Sequence, residues 1–596
     1  MEHIFFSLVL ILTLGVSAQW LAWRLRVPSI LILLLFGFVA GPIGGWLYPD
    51  YIFGELLFPW VAICVSFILF EGGLCLKWHE FRRVGLAAIG MVTIGAFITW
   101  VLFSIATRYF LGFGWDLSIL LGAICIVTGP TVIMPLLQQL RPARKPALVL
   151  KWEAMLNDPI GAIVAVLTLE AILAGGTSHA FQGSFSLIFE TLGYGLLWGF
   201  LAAALMVIFL KKHWIPDYLH TAVTLMFVSI TFFISNEFQA ESGLVSVTLM
   251  GMILTNQKFT NVQHIIDFKE NLRVLLIASL FIVLAARVNL PDLKEVAIPA
   301  CMISLILILV IRPIAVFAST IKSGLSKNEK IFLSFCAPRG IVAAAIASIF
   351  SLRLSEVGYA GAEKFSAVMF IVIVFTVLAA GIIAPQIAYR LGVANRDPQG
   401  LVILGAHAWA RILAKEVKSL GFPVCLIDSN EDRVWQATRE GLRAYSGNAT
   451  SEHDIEMIDL EGMGKFLGLT PNAEANSIAA SKFTKIFESS QVYRLSPDKD
   501  PERKSTSGGV VIGKILFQSS ENYESLTSRF LKGQIERVQV EDSVNWEQIR
   551  GKDGTKSIPL MVVKSSGKLN VLTDGEKLSL SKGDTVILLK EKNEKV

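Results

Sequence analysis

The chain has 596 residues, of which 53% are hydrophobic and only 17% charged, and its mean hydropathy is +0.59. Those values exclude an ordinary soluble globular protein and a disordered one, and a net charge of +5 over this length gives no basis for a nucleic-acid partner. Six cysteines (Cys64, Cys75, Cys125, Cys301, Cys336, Cys425) form no Cys-x-x-Cys pair and five lie in apolar segments, so they read as buried thiols and not as a disulfide frame or a metal site. The apolar excess stops near residue 393. The expected organisation is a polytopic membrane domain at 1–393, an α/β domain at 397–495 and a small lobe at 510–596.

The first run, MEHIFFSLVLILTLGVSAQW, ends in a small-x-small pattern like a signal peptide. It lacks any Lys or Arg before the apolar stretch, so it reads as a retained first transmembrane helix. With about 20 apolar residues needed per crossing, thirteen spans are predicted, at about 4–23, 28–47, 52–76, 84–107, 115–139, 148–174, 186–210, 218–236, 240–256, 272–290, 296–320, 329–351 and 366–389. The connections that follow odd-numbered spans hold nineteen basic residues, from Arg24 and Arg26 to Arg390 and Arg396, against five (Arg108, Arg287, Lys294, Arg353, Lys364) in the other set. The positive-inside rule therefore puts the N-terminus outside and the C-terminal domain in the cytoplasm of an inner-membrane protein. Trp46, Trp78, Trp115 and Trp214 fit an interfacial belt.

Thirteen spans accommodate two inverted six-helix repeats and one linking helix, which matches span 5 to span 12. Both are interrupted, by VTGPTVIMP (Val127–Pro135, with Gly129 and Pro130) and by CAPRGIVAA (Cys336–Ala344, with Pro338 and Gly340). Matched Gly/Pro breaks point to broken helices at a midplane binding site. Ionisable groups inside the bilayer cost on the order of 3 kcal/mol each, and four stand out: Glu71, Glu153, Asp158 and Arg339. Glu153 and Asn157 share a helix face, whereas Asp158 is turned about 140° from Glu153. Arg339 facing Glu153 makes a structural pair, which leaves Asp158 to hold either a proton or a small cation. Glu71 reads either as an interfacial anchor or as a cavity wall.

EAMLNDP (Glu153–Pro159), FEGGL (Phe70–Leu74) and PRG (Pro338–Gly340), in their order along the chain, resemble the Asn-Asp branch of the sodium/proton antiporters in the cation/proton antiporter superfamily. The likeness covers nearly the whole membrane domain. It implies a homodimer, an all-α membrane fold with crossed broken helices at spans 5 and 12, and a mobile six-helix core. It makes Asp158 the ion and proton carrier, Asn157 its helix-stabilising neighbour and Glu153–Arg339 a structural ion pair. One exchanged carboxylate implies electroneutral 1:1 exchange of Na+ or K+ for H+ and no cofactor for transport. Two positions depart from the pattern: Gly129 stands where the family has Asp, and Ala154 where it often has Ser. Both remove oxygens from the expected cage, which leaves Thr128, Glu71, main-chain carbonyls and water to compensate.

From residue 401 onward strands and helices alternate: strands at 401–405, 423–428, 443–450, 466–472 and 491–495, and helices at 408–420, 430–440 and 473–487. This predicts a parallel doubly wound, Rossmann-like sheet. GAHAWA is its phosphate loop, with Gly405 in place, His407 at the second glycine position and Ala410 at the third; Asp428 ends strand two, where an acid can bond a ribose. Either a nucleotide such as NAD(H), ATP or AMP binds there, or the fold is a ligand-free scaffold. LVILGAHAWARILA, VCLIDSN, SGNAT and GLTPNAEANSIAA resemble the TrkA-N-like regulator-of-potassium-conductance domains, which implies gating of an attached transporter. A polar linker (496–509) then leads to a small β-rich lobe. The alternative readings are a potassium channel or uptake subunit, opposed by the lack of a TVGYG-like filter, and a membrane-anchored NAD enzyme, which leaves the intramembrane carboxylates without a purpose.

Overall fold

The computed structural model describes residues 2–591 except 26, 141, 174–176, 261, 395, 396, 452, 453, 456, 457, 485, 497–512, 518–520, 541–556 and 575–579. The predicted linker and the charges of Arg26, Arg141 and Arg396 thus lie outside the described residues. The chain forms two compact units, Met1–Ala394 and Asn395–Val596.

The described residues of the first unit form helices and the connections between them. Among the described residues eight helices are long and apolar enough to cross a membrane, and shorter apolar helices cover Ser29–Ile43, Trp115–Ile124, Ser242–Asn256 and Leu272–Ala286. Each predicted span is occupied by a helix or a helix pair. Helix pairs approach at glycines: a Cβ on Gly73 would stand 2.3 Å from the Thr248 carbonyl oxygen, and one on Gly251 2.3 Å from that of Phe70. Small residues let backbones meet closely where lipid supplies no hydrophobic push. The outer flank is correspondingly apolar, with Phe97, Phe200 and Phe233 exposed and Trp46, Trp78, Trp115 and Trp214 exposed among them.

Among the described residues four wide i→i+5 turns interrupt these helices, at Val39–Ile43, Met91–Gly95, Leu307–Ile311 and Ala379–Ile383. The second and third lie in predicted spans 4 and 11, which would correspond under the inverted repeat expected from the sequence. The two expected breaks are present but shorter than predicted. The first pair is Trp115–Ile124 and Pro130–Leu140, the second Lys327–Phe335 and Ile341–Glu356. Pro130 opens its half-helix, where a fixed φ and a missing N–H cost nothing, so helix resumes there and runs through Pro135. The second pair starts with a capping box in which Ser326 and Glu329 bond each other's backbone N–H, at 3.2 and 2.7 Å.

The second unit holds a six-stranded parallel sheet: β1 (Gly400–Leu404), β2 (Val424–Asp428), β3 (Arg443–Ser446), β4 (Met463–Gly468), β5 (Val492–Arg494) and β6 (Lys514–Ile515), in the order β3-β2-β1-β4-β5-β6. β1 is buried on both faces: Leu401 and Ile403 enter one core, Val402 and Leu404 the other. That explains its unbroken apolar run. A four-stranded antiparallel sheet follows, β7 (Gly533–Gln539), β8 (Ile558–Val563), β9 (Leu569–Val571) and β10 (Thr585–Glu591), in the order β7-β10-β8-β9. β6 comes from the stretch read as a separate lobe, and Leu526, Phe530, Leu560 and Leu589 share a core with Leu401, Ile403 and Trp409. The small lobe is therefore fused to the Rossmann-like sheet rather than tethered beside it.

Candidate functional site

The long helix Arg144–Leu173 carries Glu153, Asn157 and Asp158, which are 1%, 3% and 1% exposed. Pro159 lies inside it and donates no N–H, so the Met155 carbonyl loses its usual partner and the helix loosens directly behind Asp158. Gly161, on the same side of the helix as Asp158, packs against the first break: its Cβ would lie 2.9 Å from the Val127 nitrogen. Asp158 thus faces the interrupted segment that contains Thr128.

The two breaks cross at their glycines. A Cβ on Gly129 would meet the Gly340 Cα at 2.6 Å, one on Gly340 the Gly129 Cα at 2.5 Å, and Gly129 N–H donates to the Pro338 carbonyl at 3.2 Å. Gly340 also caps the half-helix Ile341–Glu356. Backbone meets backbone here, so no flexible side chain can yield. Gly340→Ala is expected to lower the melting temperature of the purified protein, with overpacking worth roughly 1–3 kcal/mol, and to reduce transport; an unchanged melt would mean that the crossing opens freely.

Glu153 is paired, but not with Arg339. Its two carboxylate oxygens accept a fork from Arg312, at 2.5 and 2.8 Å, and Arg312 is 4% exposed. The expected Glu153–Arg339 pair is therefore corrected. Arg339 instead donates to the Ile126 and Val127 carbonyls, at 3.4 and 3.3 Å, while its own N–H is held by the Thr376 hydroxyl at 3.1 Å. Those carbonyls follow the end of the first half-helix, where the break strips them of helical partners and the helix end is negative. Arg312, in IRPIAVF, was the signal that sequence reasoning passed over: a lone cation within an apolar span.

Glu71 is also committed elsewhere. It accepts from Arg273 at 3.1 Å, a second ion pair, in a pocket it shares with Thr221, Thr224 and Ile265. Its neighbour Gly72 lies against Met155. What remains around Asp158 is short of partners. Both its carboxylate oxygens, the Asn157 side-chain oxygen and the hydroxyls of Thr128 and Thr131 are buried without a hydrogen-bond partner among the described residues. Gly129 and Ala154 add no side-chain oxygen, and Ala154 is fully buried in an apolar cluster with Trp152 and Met155.

In the second unit Gly405 follows β1 at a φ of +110°, which glycine tolerates. His407 caps the helix Ala408–Ser419, Nδ1 accepting from the Ala410 N–H at 3.4 Å, and Nε2 donates to the Leu469 carbonyl at 2.8 Å. Burial pushes its pKa down from 6.5 to about 4, so the imidazole is neutral at physiological pH. Asp428 does end β2, but its oxygens accept from the Ala406 and Asn430 N–H groups at 2.8 and 2.9 Å. Of the four residues named from the sequence, His407 and Ala410 bond each other, while Gly405 donates to the Ile427 carbonyl and Asp428 accepts from Ala406 and Asn430.

A family model described as "Sodium/hydrogen exchanger, transmembrane" matches residues 8–389, and a TrkA-N domain model matches residues 401–505. The chain is 25% identical over 350 residues to a probable Na(+)/H(+) antiporter 2 of Methanocaldococcus jannaschii, covering 56% of this chain and 81% of that one. It is 26% identical over 486 residues to the K(+)/H(+) antiporter NhaP2 of Shewanella oneidensis, covering 80% and 82%. Against the K(+)/H(+) antiporter NhaP2 of Shewanella baltica the match is 26% over 362 residues, so the chain spans only 61% of that relative's length. The solved structure of the sodium proton antiporter MjNhaP1 from Methanocaldococcus jannaschii at pH 8 superposes with a TM-score of 0.57 at 23% identity, covering 65% of this chain and 98% of that one, a likeness of fold.

Proposed function

The chain belongs to the sodium/hydrogen exchanger transmembrane family, a family of multi-pass membrane transporters and not of enzymes, and from that premise we propose that it exchanges Na+ or K+ for H+ by alternating access through Asp158. The observation that carries this reading is the buried carboxylate of Asp158, unpartnered among the described residues and set beside crossed broken helices. A proton and a cation each neutralise such a group and each excludes the other, and a single exchanging carboxylate gives electroneutral 1:1 stoichiometry. Asn157 and Thr128 supply neutral oxygens to the cation, with backbone carbonyls at the break. Glu71 contributes only if it leaves Arg273. Glu153–Arg312 and Arg339 hold the scaffold.

The chain crosses the membrane thirteen times as a homodimer, with its N-terminus outside and the TrkA-N unit in the cytoplasm. That unit regulates exchange, with NAD(H), ATP or AMP as its candidate ligand. Reconstitution into proteoliposomes with a pH-sensitive dye tests the proposal. Na+, K+ or Li+ is expected to dissipate an imposed pH gradient without generating a membrane potential; if none of the three does so, antiport is wrong.

A further inference from the structure

In a doubly wound sheet the ligand crevice lies where the strand order reverses, beyond the carboxyl ends of the strands. Here that point is between β1 and β4, which pair in parallel, and the Leu469 N–H closes onto the Leu404 carbonyl at 3.0 Å. The GAHAWA loop leaves β1 at this place. A pyrophosphate needs bare backbone and free N–H groups in such a loop.

The loop's backbone is covered by a side chain, and part of its N–H set is already bonded. The His407 ring lies 3.2 Å from where a Cβ on Gly405 would stand, and the Thr470 methyl closes the other side at 3.6 Å. The ring is 6% exposed and stands against Trp409 and, edge-on, against Tyr523, with centroids 4.5 and 5.1 Å away. Three of the loop's N–H groups are spent internally: Gly405 on the Ile427 carbonyl (2.7 Å), Ala406 on Asp428 and Ala410 on His407. Asp428, the acid that would take a ribose hydroxyl, accepts from two backbone groups and lies 3.6 Å from the Arg433 guanidinium.

We infer that the His407 side chain is a built-in occupant of the nucleotide crevice, so that a nucleotide enters only when the imidazole leaves. Its two ring nitrogens substitute for the ligand, one holding the helix start and the other the end of β4. Displacing it releases the Leu469 carbonyl and the helix N-terminus together, which links occupancy of the crevice to the packing of the Tyr523–Lys532 helix on the same ring. This inference rests on the reading of the TrkA-N unit as nucleotide-binding and is independent of the transport reading.

The test is titration of the full-length protein, solubilised in detergent, with NADH, AMP and ATP, comparing wild type with His407→Gly and His407→Asn. Asparagine keeps an oxygen able to cap the helix but cannot reach Leu469 as the ring does, and so covers the case in which the glycine variant misfolds. Both variants are expected to bind at least one nucleotide about tenfold more tightly than wild type, since the energy of evicting the ring is removed. Equal affinity in all three proteins overturns the plug and leaves the nucleotide reading intact. No binding by any of them overturns both.

Discussion

Asp158→Asn is expected to bring cation-driven proton movement down to the background of protein-free vesicles while leaving the protein folded. The amide is nearly isosteric with the carboxyl, so packing around a side chain that is 1% exposed changes little. It can neither take up a proton nor present a negative charge to a cation, and both halves of the exchange fail together. The fold does not depend on the charge, because neither carboxylate oxygen takes part in a hydrogen bond among the described residues. Reconstituted vesicles read the first effect; elution and thermal melting in detergent read the second. Asp158→Asn retaining wild-type exchange would remove this residue from the mechanism. Asp158→Glu keeps the chemistry but adds a methylene to close-packed surroundings, and slower exchange is expected from it.

The second large effect is on stability. Breaking a buried ion pair by removing one partner strands the other charge, at about 3–5 kcal/mol. Glu153→Gln or Arg312→Met alone is therefore expected to depress the melting temperature sharply and to reduce yield. The double variant should recover much of the loss, because no lone charge remains. The same cycle run on Glu153 and Arg339 separates the observed pairing from the one expected from sequence: coupling energy is expected between Glu153 and Arg312, and little with Arg339. A large Glu153–Arg339 coupling and none to Arg312 would reverse the assignment.

What could be read from the sequence was local. The apolar runs, the Gly/Pro breaks and the strand–helix alternation after residue 401 each announce themselves within a window of 20 residues or so. Partnerships across helices do not. Sequence pairs Arg339 with Glu153 because it is the cation most visible at a break, while the break supplies Arg339 with carbonyls of its own at Ile126 and Val127. Arg273 lies within the helix Gln263–Ala286 and reaches Glu71 across 202 positions of sequence, a pairing that no local window shows. β6 is two residues long, too short to carry any alternation, and its partner strand is the only reason it exists as a strand. His407 was visible as an intruder in a glycine-rich motif, but its hydrogen bonds were not, since histidine is an unusual helix cap.

The wide turn at Leu307–Ile311 has a consequence for the residue that follows it. Each i→i+5 turn absorbs one residue more than an α-turn, so residues downstream lag by about 100° the phase that an unbroken α-helix count would give them. Arg312 is the first residue past this turn, so its phase toward Glu153 is set by a count of residues and not by their chemistry. Leu307, Ile308, Leu309, Val310 and Ile311 can trade identities among apolar types at little loss. Removing one of them would close the wide turn to an α-turn and keep the guanidinium in phase, whereas adding one residue beyond it would swing the guanidinium round the helix and leave Glu153 alone in the interior. Along this stretch the message is written in length.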